Sequence, residues 1–80
     1  MMIGIIGAME EEVAVLKESM DIEKIVEYAS MQFYKGVLCG KKVVVVRSGI
    51  GKVNAAVCAQ ILADKFNIDV LINTGIAGSL

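Results

Sequence analysis

Histidine is absent from the 80-residue sequence, and cysteine occurs only twice, at Cys39 and Cys58. A zinc site of the usual type is therefore not expected, because such sites draw their ligands from closely spaced cysteines and histidines. The two cysteines lie far apart and lack a CxxC spacing. We expect both to be reduced thiols of a cytoplasmic protein, with a buried structural role.

An excess of positive charge and a long apolar segment are missing as well. The formal net charge is −1, which gives no basic face for nucleic acid and no polybasic anchor for a membrane. No apolar run approaches the roughly 20 residues of a membrane span. The apolar start of the chain is too short for a signal peptide and leads directly into three glutamates. We therefore expect a soluble protein without a nucleic-acid or membrane partner.

The apolar residues follow a pattern of alternating strands and helices. Short apolar runs indicate strands, and apolar residues at helical spacing indicate helices. The order is β-α-β-β-β-α-β, which is typical of an α/β sheet, and a hairpin turn is predicted at Gly40–Lys41. The predicted strands cover residues 2–7, 22–29, 31–38, 42–47 and 69–73, and the predicted helices cover 9–20 and 52–66.

Two of these elements are unusually apolar. The four valines of Val43–Val46 indicate a strand that needs cover on both faces, and two helices barely supply it. Exposed faces of this strand, of Val70–Ile72 and of the second helix predict an incomplete domain that self-associates when isolated. The second helix has an apolar surface broad enough to be covered on more than one side. One face comprises Val53, Ala56, Val57, Gln60 and Ile61, and Ala55, Cys58, Leu62 and Phe66 extend it.

Three predicted strands open into loops of small residues. The loops are Gly7-Ala8-Met9, Ser48-Gly49-Ile50-Gly51 and the segment from Asn73 to Gly78. Ligands of open α/β sheets bind beyond the carboxyl ends of the strands, and glycines let the backbone approach a ligand closely. The three loops together predict a pocket for a small molecule, although tight turning alone explains any one of them equally well.

Familiar phosphate-binding motifs are not completed in this sequence. Gly51-Lys52 resembles the end of a P-loop, but Val46 stands in place of the first glycine and Val53 in place of the serine or threonine. Gly4 and Gly7 do not form a GxGxxG pattern either. A site for a nucleoside triphosphate or a dinucleotide is therefore not indicated.

The glutamates at positions 10, 11 and 12 are the acidic candidates for chemistry. Glutamates that open a helix more often interact with the helix dipole than with a substrate. Successive helical residues differ by about 100° in direction, so the three side chains cannot share one role. Glu12 lies within one turn of Met9 and Val13, which turns it toward the predicted pocket, whereas Glu10 and Glu11 point toward solvent. A carboxylate at the rim of an apolar pocket is a candidate general base.

Three motifs stand in a fixed order and spacing: Ile3 to Val13, Ser48 to Ala56, and Ile72 to Gly78. Together they resemble the 5′-methylthioadenosine/S-adenosylhomocysteine nucleosidase family, and the resemblance extends over essentially all 80 residues. It implies an α/β fold, namely the amino-terminal part of a three-layer nucleoside phosphorylase/hydrolase-like fold with a central mixed sheet. Residues 1–80 are then the amino-terminal part of a single nucleosidase domain that hydrolyses the N-glycosidic bond and releases adenine.

The resemblance also implies roles for individual residues. The glutamate that matches Glu12 activates the attacking water and stabilises an oxocarbenium-like transition state. No metal or organic cofactor is implied, the substrate is a small-molecule nucleoside, and the relatives are homodimers. Many relatives carry serine where this chain has Ile76, so a hydroxyl hydrogen bond is lost there. Residues that match Ala8, Met9 and Ile50 line the ribose and the 5′-thio side, and those that match Ala77 and Gly78 flank the purine, next to Ile76.

The family's later motifs are not found in these residues. They supply a glutamate for the ribose hydroxyls, an aromatic ring for adenine and an aspartate that helps to protonate it, so we expect the 80 residues alone to be inactive. The nearest alternative is a nucleoside phosphorylase of the same fold, but such relatives place an arginine where Asn73 stands and a glycine-aspartate-proline loop where Gly7-Ala8-Met9 stands. Arg47 is the only arginine available. A non-catalytic fragment that only self-associates is the other alternative.

Overall fold

The computed structural model describes residues 1–7, 10–47 and 52–73, without the side chains of residues 12, 52–55 and 73. The predicted order of elements is confirmed, and each predicted boundary lies within one residue of the observed one. Along the described chain the elements are β1 (Met2–Gly7), α1 (Glu10–Ser19), β2 (Asp21–Tyr28), β3 (Met31–Leu38), β4 (Lys41–Arg47), α2 (Lys52–Phe66) and β5 (Val70–Asn73).

The strands form one mixed sheet in the order β2-β3-β4-β1-β5. β1 runs parallel to both β4 and β5, whereas β2, β3 and β4 form an antiparallel meander. α1 packs on one face of the sheet and α2 on the other, each above its own cluster of buried side chains. The predicted three-layer α/β arrangement with a mixed central sheet is therefore confirmed.

β4 is buried on both faces. Val44 and Val46 pack beneath α2 in the cluster that contains Leu62, and Val43 and Val45 pack beneath α1 in the cluster that contains Val13. The exposed fraction of each of these four valines is 2% or less. The expectation that Val43–Val46 presents exposed faces was wrong, because the two helices cover both sides of the strand while β1 and β3 flank it.

Two-residue turns join the antiparallel strands. Ala29 and Ser30 have φ angles of 52° and 65°, and Cys39 and Gly40 have φ angles of 52° and 77°. Positive φ at both central residues is the signature of a type I′ turn, whose twist matches that of the flanking strands. The second turn therefore lies one residue before the predicted Gly40–Lys41, because glycine occupies the second central position of the turn and not the first.

α2 contacts the sheet through residues spaced four apart. Cys58 and Leu62 are fully buried, and the ring of Phe66 stacks on Phe33 with centroids 5.6 Å apart. The predicted apolar surface is confirmed in part, because Cys58, Leu62 and Phe66 of its extension and Ile61 of its first face pack on the sheet. Much of the rest of that first face is exposed. The exposed residues of the predicted face are Ala56, Val57 and Gln60.

Neither helix of the described chain is long and apolar enough to cross a membrane.

β5 lies at one edge of the described sheet and is tied to β1 at its start. The Met2 backbone N–H donates to Asp69 Oδ2 at 2.8 Å, and the Asp69 N–H donates to the Met2 carbonyl at 2.7 Å. This reciprocal pair fixes the register of β5 beside β1. Val70, Leu71 and Ile72 are 40%, 45% and 43% exposed, so the prediction of an exposed apolar face on this strand is confirmed.

The two cysteines have opposite environments. Both are free thiols, as predicted. Cys58 is buried, its Sγ lies 3.2 Å from Met31 Sδ, and burial raises the pKa of its thiol. Cys39 is exposed, so the prediction of a buried role was wrong for this residue, because the type I′ turn places its side chain outside the sheet.

Replacing Val44 with alanine is expected to lower the free energy of unfolding by about 2 kcal/mol, because two methyl groups leave a fully packed site. Val15→Ala is the matched control: Val15 is 63% exposed on α1, so its loss should stay within about 0.5 kcal/mol. Urea denaturation of the protein measures both values. Equal losses at the two positions would contradict the burial of β4.

The thiols are expected to react with a disulfide reagent at very different rates. Cys39 should react quickly, because its thiol is exposed. Cys58 should react at least about 100-fold more slowly, because burial restricts access and its raised pKa reduces the thiolate fraction at any given pH. Cys39→Ser should remove the fast phase only, and unfolding in urea should make the two rates similar. Two fast phases in the folded protein would show that Cys58 is accessible.

Candidate functional site

Three adjacent parallel strands end at the same edge of the sheet. β4 ends at Arg47, β1 at Gly7 and β5 at Asn73. The register pairs Gly7 with Arg47 and Ile6 with Asn73, so the three ends lie side by side. The segments 8–9, 48–51 and 74–80 therefore all continue from this edge, where ligands bind in open α/β sheets.

Of the predicted site residues, Glu12 belongs to a described helix at this edge, and the others lie outside the described residues. Glu12 lies in the first turn of α1, which begins at Glu10 directly beyond the end of β1, although its side chain lies outside the described part. Glu10 and Glu11 are exposed, as predicted. The roles of the predicted binding residues stay predictions, since the following positions lie outside the described residues: Ala8, Met9, Ile50, Ile76, Ala77 and Gly78.

A cleft of about 340 Å³ opens at the same edge, between α1 and the β2–β3 hairpin. Phe33 of β3 pairs with Val46 of β4 in antiparallel register, which brings the β2–β3 turn beside the carboxyl end of β4. Residues from α1, from the hairpin and from the end of β4 thus meet in one place. The cleft is lined by Glu10, Val13, Lys17, Glu27, Ser30, Met31, Gln32, Tyr34 and Arg47.

Tyr34 holds Lys17 at the wall of this cleft. Lys17 Nζ lies 4.4 Å from the centroid of the Tyr34 ring, a distance at which the ring face attracts a cation. The same Nζ donates to Tyr34 Oη at 3.5 Å, and Tyr34 Oη donates to Gln32 Oε1 at 2.7 Å. The chain Lys17–Tyr34–Gln32 therefore connects α1 to β3 and gives the ammonium group a defined position.

The sequence analysis did not predict this cleft. Lys17 and Tyr34 are 17 positions apart, and they meet because α1 packs on the face of the sheet that carries the side chain of Tyr34. The available signal was topological: a hairpin antiparallel to β4 must turn at the edge where β4 ends. The turn itself was hard to recognise, since Ala29 and Ser30 are not the glycine or asparagine that usually marks a type I′ turn.

A second cleft, of about 360 Å³, lies at the opposite edge of the sheet. Its lining includes Met1 and Ile3 near the start of β1 and Lys41 and Lys42 at the start of β4. It therefore lies at the amino ends of the parallel strands, away from the edge that binds ligands in such sheets.

Within residues 1–7, 10–47 and 52–73, no group of three or more histidine, cysteine, aspartate or glutamate side chains is placed to hold a metal ion.

Residues 2–80 match the family model of the phosphorylase superfamily. The chain belongs to this superfamily. A 5′-methylthioadenosine/S-adenosylhomocysteine nucleosidase of Staphylococcus haemolyticus (strain JCSC1435) is 53% identical over 79 residues, which cover 99% of this chain and 35% of that protein. The chain thus spans about a third of the length of the curated relatives that it matches.

Solved nucleosidase structures share the fold as well. The 5′-methylthioadenosine/S-adenosylhomocysteine nucleosidase of Colwellia psychrerythraea 34H, in complex with adenine, has a TM-score of 0.89 at 53% identity, covering 94% of this chain and 31% of that chain. The Streptococcus pneumoniae nucleosidase with the transition-state inhibitor MT-ImmA has a TM-score of 0.87 at 45% identity, covering 94% and 33%. The resemblance stated from the three motifs is confirmed, and with it the amino-terminal part of the nucleoside phosphorylase/hydrolase fold.

Proposed function

We propose that the protein hydrolyses the N-glycosidic bond of 5′-methylthioadenosine and S-adenosylhomocysteine, releasing adenine and the thio-substituted ribose. The observation that carries the proposal is the common edge of β4, β1 and β5, from which the segments matching the three nucleosidase motifs continue. The similar proteins of known name support it: the 53%-identical relative is a nucleosidase, and the Colwellia nucleosidase structure contains adenine.

The order of the strands fits the order of the groups in such a substrate. Ile50 follows β4, Ala8 and Met9 follow β1, and Ala77 and Gly78 follow β5. Three neighbouring strands span about 10 Å at roughly 4.8 Å per strand, close to the length of an extended nucleoside. In this arrangement the 5′-thio group lies over the end of β4, the ribose over β1 and the purine over β5, next to Ile76.

Glu12 is the proposed general base. Its carboxylate accepts a proton from water as the water oxygen bonds to the anomeric carbon, and the electron pair of the carbon–nitrogen bond leaves with adenine, which gains a proton. The ribose carries positive charge in an oxocarbenium-like transition state, which a nearby carboxylate stabilises. The position of Glu12 in the first turn of α1, directly after the end of β1, supports this role.

Phosphorolysis by the same fold is the alternative reaction, and the charges at this edge disfavour it. β5 ends at Asn73, where a phosphorylase is expected to carry an arginine. Arg47 does lie at the end of β4, but its cleft holds the carboxylates of Glu10 and Glu27 as well as the ammonium group of Lys17. Carboxylates beside the cation oppose the binding of a phosphate dianion.

A homodimer and a cytoplasmic location are also part of the proposal. The exposed apolar side chains of Val57 on α2 and of Val70–Ile72 on β5 offer surface that further protein would cover, because apolar patches of this kind are usually buried against a partner or another part of the same protein.

Glu12→Gln in the full-length enzyme is expected to lower kcat for 5′-methylthioadenosine by about 100-fold or more, because glutamine cannot accept the proton from water. Glu11→Gln is the matched control, since Glu11 is exposed one residue earlier in the same helical turn, and its rate should stay within about twofold. Adenine release measures both. A wild-type rate for Glu12→Gln would remove Glu12 from the mechanism.

Inorganic phosphate is expected neither to accelerate cleavage nor to appear in the product. Mass spectrometry of the sugar product after turnover in phosphate buffer should show free 5-methylthioribose and no 1-phosphate ester. A reaction in buffer without phosphate is the control and should proceed at the same rate. A 1-phosphate ester of the sugar would establish phosphorolysis instead.

A further inference from the structure

Helix α1, which lines the charged cleft beside the β2–β3 hairpin, is tied to the sheet by a contact that has no task in the hydrolysis described above. We propose that Lys17 and Tyr34 are positioning residues: their contact fixes where α1 lies on the sheet, and with it the position of Glu12 in the first turn of that helix. This inference rests on the proposed function, in which Glu12 accepts a proton from water, and adds the residues that set the place of this base.

α1 is too short to fix its own place. Its 10 residues span about 15 Å at 1.5 Å per residue, and helices of this length depend on tertiary packing for their stability. Val13 is buried against the sheet, and Leu16 packs on the same apolar cluster. Because apolar packing is non-directional, the cluster holds α1 against the sheet and gives it little direction. How far α1 is shifted along its axis, or turned about it, is then set by directional contacts.

Lys17 supplies such a contact one helical turn beyond Val13. Its Nζ lies 4.4 Å from the centroid of the Tyr34 ring and donates to Tyr34 Oη at 3.5 Å. Both interactions depend on direction, because a ring attracts a cation over its face and a hydrogen bond weakens steeply as its angle closes. The contact therefore fixes this point of α1 relative to one residue of the sheet.

Tyr34 is itself held in place, as an anchor must be. β3 lies between two strands, and Tyr34 pairs with Ile25 of β2 and with Val45 of β4. Its hydroxyl donates to Gln32 Oε1 at 2.7 Å, two positions earlier on the same face of the strand. Because both the backbone and the hydroxyl of Tyr34 are held, loss of the contact with Lys17 releases α1 and not the sheet.

A shift of α1 at Lys17 is carried to Glu12. Glu12 lies five residues earlier in the same helix, which is about 7.5 Å along its axis. A misplacement of about 1 Å at a reacting group can lower a rate by roughly 100-fold, since a general base must lie within hydrogen-bond reach of the proton it accepts. The contact therefore acts on the chemical step and not on the binding of the nucleoside.

The test measures adenine release from 5′-methylthioadenosine by the full-length enzyme in a single turnover, which reports the chemical step. Lys17→Met and Tyr34→Leu should each lower this rate about 10-fold and leave KM within about twofold, because the base is misplaced while the substrate contacts remain. The double variant should lose no more than the larger single loss, since both substitutions remove one contact. Lys17→Arg should retain most of the rate, because a guanidinium also binds the face of an aromatic ring.

The same substitution in a Glu12→Gln background separates positioning from a general structural role. There, Lys17→Met should change the residual single-turnover rate by less than about twofold, because the base through which Lys17 acts is already gone. Lys24→Met is the matched control: Lys24 is exposed on β2, and its replacement should leave the rate unchanged in both backgrounds. Thermal denaturation of each variant establishes that it is folded at the assay temperature.

The outcomes distinguish this inference from the function on which it rests. A wild-type rate for Lys17→Met, or the same fold loss with and without the Glu12 carboxylate, would overturn the positioning role and leave the nucleosidase proposal intact. A raised KM with an unchanged single-turnover rate would do the same. A wild-type rate for Glu12→Gln, or a wild-type enzyme that does not cleave the nucleoside, would overturn the proposed mechanism and the positioning role with it.

Discussion

The burial of β4 on both of its faces is the constraint on which the rest of this structure depends. Val44 and Val46 need the cover of α2, and Val43 and Val45 need that of α1. Each valine contributes roughly 1.5–3 kcal/mol when it is fully removed from water, so the strand holds both helical layers against the sheet. Because the backbone of β4 must also be paired on both sides, β1 and β3 become its neighbours.

These two neighbours give the end of β4 two different surroundings. On one side lies the parallel strand β1, whose end leads into α1 and the three glutamates of its first turn. On the other side lies the antiparallel strand β3, which brings a hairpin turn and the Lys17–Tyr34 contact to the same edge. The proposed nucleoside site and the charged cleft are thus two consequences of one strand end, which explains how Arg47 comes to lie between them.

Local patterns in the sequence predicted the elements well, because each element is defined by its own residues. The bounds of β3 and α2 agree with the prediction, since alternation and helical spacing are local properties. Features that depend on distant parts of the chain were not predicted. Which face of α2 meets the sheet depends on where Phe33 and Ile6 lie, and the cleft depends on α1 bringing Lys17 over Tyr34 on one face of the sheet. The Ala29–Ser30 turn was not recognised because strand pairing, and not glycine, imposes its positive φ angles.

A crystal structure of the full-length protein with adenine tests the central claim most directly, because that claim concerns which edge of the sheet binds the substrate. The account predicts adenine beyond the carboxyl ends of the parallel strands, nearest the end of β5 at Asn73 and on the side of β1 away from Arg47. Adenine at the opposite edge, in the cleft lined by Met1, Lys41 and Lys42, would contradict it.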